Sequence, residues 1–106
     1  MAEENFDNDE FEEIDEGEVP SEIRSRLALA LDVDDVVAAR RLAADLDEFF
    51  GTVKVGLELY TAAGPDVIAG LVANGWDVFA DLKLHDIPTT VNKAARVVGS
   101  LGVRWL

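Results

Sequence analysis

The sequence predicts an α/β fold built on a parallel sheet. Three observations carry this reading. Apolar runs of strand length recur around Leu27, Thr52 and Trp76. Segments with helical periodicity and capping residues separate them. Each strand ends in polar residues: Asp32, then Lys54, then Asp81 with Lys83. Strands alternating with helices form right-handed βαβ units and hence a parallel sheet. In such sheets the carboxyl ends of the strands build the functional face.

The elements follow in order. Residues 1–20 read as a disordered acidic tail, and residues 21–106 as the folded part. Dense like charge with only Phe6, Phe11, Ile14 and Val19 as larger apolar residues cannot support a core. The spacing of Phe6, Phe11 and Ile14 leaves open a weak amphipathic helix against a partner. Leu27 to Val33 reads as a buried strand, and Asp34 and Asp35 offer N-cap chemistry. Val36 to Phe50 reads as a helix. Its inner face is Val36, Ala39, Leu42, Ala43, Leu46 and Phe50, opposite Val37, Arg41, Ala44 and Glu48, and Gly51 ends it. Thr52 to Gly56 is a second strand, and Leu57 to Ala63 a connector with one helical turn. Gly64-Pro65-Asp66 opens a helix to Ala73, closed by Asn74-Gly75. Trp76 to Leu84 contains a third strand, Pro88 to Leu101 a third helix, and Val103 to Leu106 the start of a fourth strand.

Charge is unevenly spread over the 106 residues. The formal net charge is −13, yet residues 1–18 hold ten acids and no base. Twelve acids and nine bases remain for the body, a net of −3. Neither part offers the basic face that nucleic acids require. There is no cysteine, which excludes disulfides and thiolate zinc sites and fits a reducing cytoplasm. No apolar run reaches membrane-spanning length, and the acidic N-terminus does not read as a secretory signal. No phosphate-binding glycine motif follows the first strand. Its turn, Asp32-Val33-Asp34-Asp35, would repel a phosphate.

The densest chemistry lies in Asp81-Leu82-Lys83-Leu84-His85-Asp86-Ile87-Pro88-Thr89-Thr90. If Val78 to Leu84 is a strand, Phe79, Asp81 and Lys83 share a face by period-two alternation. Charges on the inner face of an apolar strand are costly unless paired. The competing reading is a surface salt bridge at a strand end. His85 points away from Lys83 by the same alternation and reads as a structural hydrogen-bonding residue. Glu58 and Tyr60 read as structural or supporting, Trp76 and Trp105 as packing, and Arg40, Arg41 and Arg96 as solvated helix faces.

Three segments together carry a family resemblance: Leu29 to Val33 (LALDV), Thr52 to Gly64 (TVKVGLELYTAAG) and Asp81 to Val91 (DLKLHDIPTTV). From about Leu27 to Leu106 the chain resembles the N-terminal part of the orotidine 5′-monophosphate decarboxylases. The last segment matches that family's D-x-K-x-x-D-I-P-x-T signature at every fixed position. The resemblance implies a (β/α)8 barrel, of which this chain holds three βα units and the start of strand four. It implies a cytoplasmic homodimer without metal or other cofactor, acting in pyrimidine biosynthesis, with no membrane or nucleic-acid partner. It also implies roles. Asp32 would bind a ribose hydroxyl. Lys54 would join Asp81, Lys83 and Asp86 in a charged array. Lys83 would protonate C6 of the pyrimidine, with Asp81 beside the substrate carboxylate. Asp86 and Thr90 would reach into the partner subunit's site, and Ile87 would line it.

The phosphate-binding elements and closing loop of that family lie beyond the matched portion. The chain therefore reads as a fragment, expected to be inactive alone and poorly soluble, partly molten or oligomeric. Two other readings remain. One is a Mg²⁺-dependent sugar-phosphate decarboxylase or synthase of the same superfamily, against which Ile87-Pro88 followed by Thr90 argues. The other is a non-catalytic half-barrel that binds a partner.

Overall fold

The computed structural model describes residues 19–106; the acidic tail lies almost wholly outside them. Strands β1 (Ala28–Ala30), β2 (Thr52–Val55) and β3 (Asp77–Ala80) form one parallel sheet in the order β1-β2-β3. Around them run helices α1 (Ser21–Arg24), α2 (Val36–Asp45), α3 (Leu57–Ala63), α4 (Pro65–Ala73) and α5 (Pro88–Gly99). The parallel α/β class expected from the sequence is what the chain adopts.

Alternation sorts the strands' side chains. Val53 and Val55 of β2, Val78 and Ala80 of β3, and Leu31 just past β1 are buried. Against them pack Ala39 and Ala43 of α2, Leu59 of α3, Val67, Ile68 and Leu71 of α4, and Val98 of α5. The α2 pattern follows the heptad-like spacing: Ala39 and Ala43 are buried, whereas Val37 is 58% exposed. The Asp35 carboxylate caps this helix by accepting from Val37 N at 2.9 Å.

The opposite face of the sheet is largely uncovered. Leu27, Trp105 and Leu106 are 42%, 45% and 49% exposed. With Ala28, Thr52 and Phe79 they border an apolar cleft of about 420 Å³. The expected fourth strand begins here as a single parallel bridge, Phe79 to Trp105. Arg104 N donates to Val78 O, and Ala80 N to Trp105 O, each at 2.9 Å.

Several boundaries differ from the sequence reading. Helix α2 stops at Asp45 rather than Phe50. Asp45, Asp47 and Glu48 would sit at its carboxyl end, where the helix dipole disfavours anions. The connector after β2 is a full seven-residue helix, α3. Glu58 in its first turn suits the dipole, and Leu59 anchors it in the core. Strand β1 covers only the middle of the expected Leu27 to Val33, because its pairing with β2 spans Ala28 to Ala30. Helix α5 ends at Gly99 rather than Leu101. Strand β3 ends at Ala80 and does not continue to Leu84.

Candidate active site

Register builds the site. Ala30 pairs with Lys54, and Lys54 with Phe79, so these three form one row across the sheet. The next positions on that face, two residues on, are Asp32, Gly56 and Asp81. Backbone hydrogen bonds extend the ladder to this level, from Leu31 N to Lys54 O at 3.0 Å and from Asp81 N to Val55 O at 2.9 Å. The sheet thus delivers Lys54 and Asp81 to adjacent rows at the carboxyl ends of neighbouring strands.

Asp81 is the hub. Its Oδ2 receives Lys83 Nζ at 2.8 Å and Lys54 Nζ at 3.4 Å. The Lys83 hydrogen bond holds the Asp81 carboxyl below its ordinary value. The charges of Lys83 and Lys54 act in the same direction, and partial burial opposes them. Exposure differs across the array: the side chains of Asp81 and Lys54 are 21% and 28% exposed, that of Lys83 71%. Lys54 and Lys83 thus share one carboxylate, with the Asp32 carboxylate on the same row of the sheet. Asp81 and Lys83 border a cleft of about 380 Å³ with Phe79, Leu84, Val91 and Leu106.

Lys83 reaches Asp81 by a route that strand alternation does not describe. Its φ is +51°, the left-handed region that a side chain other than glycine or asparagine adopts at a penalty. No glycine or asparagine marks the position, so nothing local in the sequence signalled it. Such a conformation persists only where its surroundings impose it, and it concentrates at functional positions. Leu82, 6% exposed, anchors the preceding residue in the core.

The other expected residues are placed differently. Asp32 is exposed and has no ion-pair partner among the described residues. It flanks Gly56: a Cβ built there would lie 3.6 Å from Asp32 Oδ1 and 4.0 Å from the Asp81 carbonyl oxygen. Both are ordinary contact distances, so Gly56 sits between the two acids without being required there. Asp86 is not brought to Lys83; its Oδ1 accepts from Ile87 N at 2.7 Å. Of the four residues expected in one charged array, Lys54, Asp81 and Lys83 meet and Asp86 does not. Ile87 is 65% exposed and Thr90 is exposed. His85 is exposed and makes no side-chain hydrogen bond among the described residues, contrary to the structural bond expected. The loop leaves β3 at Ala80, so alternation does not set its direction. Glu58 is exposed, whereas Tyr60 and Trp76 pack against the core. Among the described residues no three His, Cys, Asp or Glu side chains form a metal-binding group.

Comparison with known proteins bears on this geometry. A family model described as orotidine 5′-phosphate decarboxylase / HUMPS matches residues 25–106. An orotidine 5′-phosphate decarboxylase of Nitrosomonas eutropha is 51% identical over 82 residues, which are 77% of this chain and 35% of that protein. One from Moorella thermoacetica is 47% identical over 83 residues, 78% of this chain and 33% of that protein. Among solved structures, an uncharacterized conserved protein from Geobacillus kaustophilus superposes with a TM-score of 0.65 at 39% identity. That match covers 72% of this chain and 35% of the other. The chain spans about a third of the length of the curated relatives it matches.

Proposed function

Because this chain belongs to the orotidine 5′-phosphate decarboxylase / HUMPS family, we propose that it supplies the charged part of an active site that decarboxylates orotidine 5′-monophosphate. The observation that carries this is the array of Lys54, Asp81 and Lys83 on one carboxylate oxygen at the carboxyl end of a parallel sheet.

The reaction breaks the bond between C6 and the carboxylate carbon. CO₂ leaves, the electron pair stays on C6, and a proton then forms the C6–H bond. That pair has no easy delocalisation, so the site must stabilise it with preorganised charge. Lys83 is the cation placed where the pair develops and the donor of the proton. Asp81 orients Lys83 and lies beside the departing carboxylate. Lys54 holds Asp81 from the second side. Asp32, one row over, takes a ribose hydroxyl. Asp86, Ile87 and Thr90 are exposed in a single chain, which suits work in the site of a partner subunit in a homodimer. The reaction needs no cofactor, and the product, uridine 5′-monophosphate, places the protein in cytoplasmic pyrimidine biosynthesis. Contacts to the phosphate, remote from the reacting bond, drive such a step, so the 106-residue chain alone is expected to be inactive.

The test is turnover of orotidine 5′-monophosphate, followed by loss of pyrimidine absorbance. It is run on the 106-residue chain and on the product of the whole reading frame that encodes it. Activity in the latter that is lost in Lys83→Ala, with none in the former, is the expected result. Magnesium-dependent turnover of a sugar phosphate, with none of the nucleotide, would replace this reading by the sugar-phosphate one. Turnover by the 106-residue chain that vanishes in Lys83→Ala would overturn its expected inactivity.

A further inference from the structure

At the end of the sheet opposite the charged array, two adjoining clefts of about 190 and 220 Å³ share Asp47, Asn74 and Trp76. Arg24 borders one and Arg40 the other. Their walls come from α1, α2 and α4, the turns that follow α2 and α4, and the approaches to β2 and β3.

Among the described residues both guanidinium groups have unused donors: Arg24 Nη2 donates to the Asp47 carbonyl at 3.0 Å, but its Nε is buried without an acceptor there. A buried donor without a partner is uncommon, and an absent ligand is among its ordinary explanations. Arg40 forms no ion pair among the described residues. Its guanidinium lies over α4, with Nη2 3.3 Å from where a Cβ on Gly70 would stand. Two arginine forks along one groove match carboxylates, which guanidinium binds in bidentate fashion.

We propose that this groove holds the chain's own acidic segment, Glu12 to Glu18. That segment carries Glu12, Glu13, Asp15, Glu16 and Glu18 and no base. It joins the body at Val19, two residues before α1, and Arg24 is the last residue of that helix. Helix α1 is only about 6 Å long. Seven residues reach up to about 25 Å, so carboxylates of this segment come within range of Arg24 and then of the adjoining Arg40 cleft. Asp47, on the shared wall, is the one carboxylate that opposes them. The segment would then lie at the amino ends of the strands, away from the charged array.

Trp76 lines both clefts and reports occupancy. The chain has two tryptophans, so Trp105→Phe leaves Trp76 as the single emitter. In the 106-residue chain with that change, the Trp76 emission maximum is followed from low salt to about 0.5 M NaCl, where exposed ion pairs are strongly screened. A salt-dependent shift is expected, the same at every protein concentration. Neutralising the segment (E12Q, E13Q, D15N, E16Q, E18Q) should abolish it. So should Arg40→Gln, an exposed position whose variant keeps the far-ultraviolet circular dichroism of the parent, and Arg24→Gln where that spectrum is kept. Asp47→Asn should move the transition to higher salt. A shift that survives neutralisation of the segment overturns the proposal. If inorganic phosphate then suppresses that shift, the groove is a small-anion site instead. A shift that grows with protein concentration also overturns it, because the tail of another copy is then the occupant.

Discussion

The uncovered inner face of the sheet predicts self-association of the 106-residue chain. Leu27, Trp105 and Leu106 are 42%, 45% and 49% exposed. Full burial of such side chains stabilises by about 1.5–3 kcal/mol each. Covering the exposed half of each therefore contributes about 1 kcal/mol, or about 3 kcal/mol for the three together. Association opposes this with about 4–15 kcal/mol of lost translational and rotational freedom. The unpaired edges at β1 and at Trp105 add backbone hydrogen bonds worth about 0.5–1.5 kcal/mol each. Only at the low end of that cost do these gains offset it, so association is weak and depends on protein concentration. Replacing Leu27, Trp105 and Leu106 together by serine should raise the dissociation constant about 100-fold, since about 1.4 kcal/mol is tenfold. Sedimentation velocity over a concentration series reads this directly. A parent chain that stays monomeric across the series and melts in one sharp transition would refute the reasoning, because the apolar face would then be satisfied within the chain.

Three further outcomes follow from the geometry. Lys83→Ala should move the Asp81 carboxyl back up toward its ordinary value, and Lys54→Ala should do so by less, as read by carboxyl-carbon chemical shifts against pH. Because the folded value is depressed, the contribution of Asp81 to stability is present above its unfolded value and is lost as pH falls through the folded one. Asp81→Asn should therefore flatten that acid limb of the stability profile. Gly64, with φ +76° and ψ −173°, sits in a region closed to other residues, yet a Cβ there meets nothing within 4 Å. Gly64→Ala should thus destabilise by about 1–3 kcal/mol from backbone strain alone, whereas Gly99→Ala, equally open and at an ordinary φ, should not lower the urea midpoint. Asp35→Ala removes the cap on α2 and should cost about 1 kcal/mol of stability by the same measurement.

Much of the molecule was legible before folding was considered. Strand composition, the Asp35 cap, Pro65 at the start of α4 and the inner stripe of α2 are local signals, because they depend on propensity and on neighbours one turn away. The identity of the charged residues was legible too, since Asp81, Lys83 and Asp86 are close in sequence and fall in one motif. Less was legible wherever partners come from distant segments. Helix α3 looked like a connector because its stability comes from burying Leu59, not from a long periodic stripe.

The class of fold, the alternation of strands with helices and the side chains that carry charge could be read from neighbours along the chain. How those charges meet could not. Parallel pairing of β2 with β3 put Lys54 and Asp81 within 3.4 Å although 27 positions separate them. A left-handed turn at Lys83, not a continued strand, set the 2.8 Å contact, and the same break left Asp86 bonded to its own loop. Periodicity describes a strand only while a neighbour pairs with it. Beyond Ala80 the backbone direction is governed by what the core and the next helix demand, and that is information the local sequence does not contain.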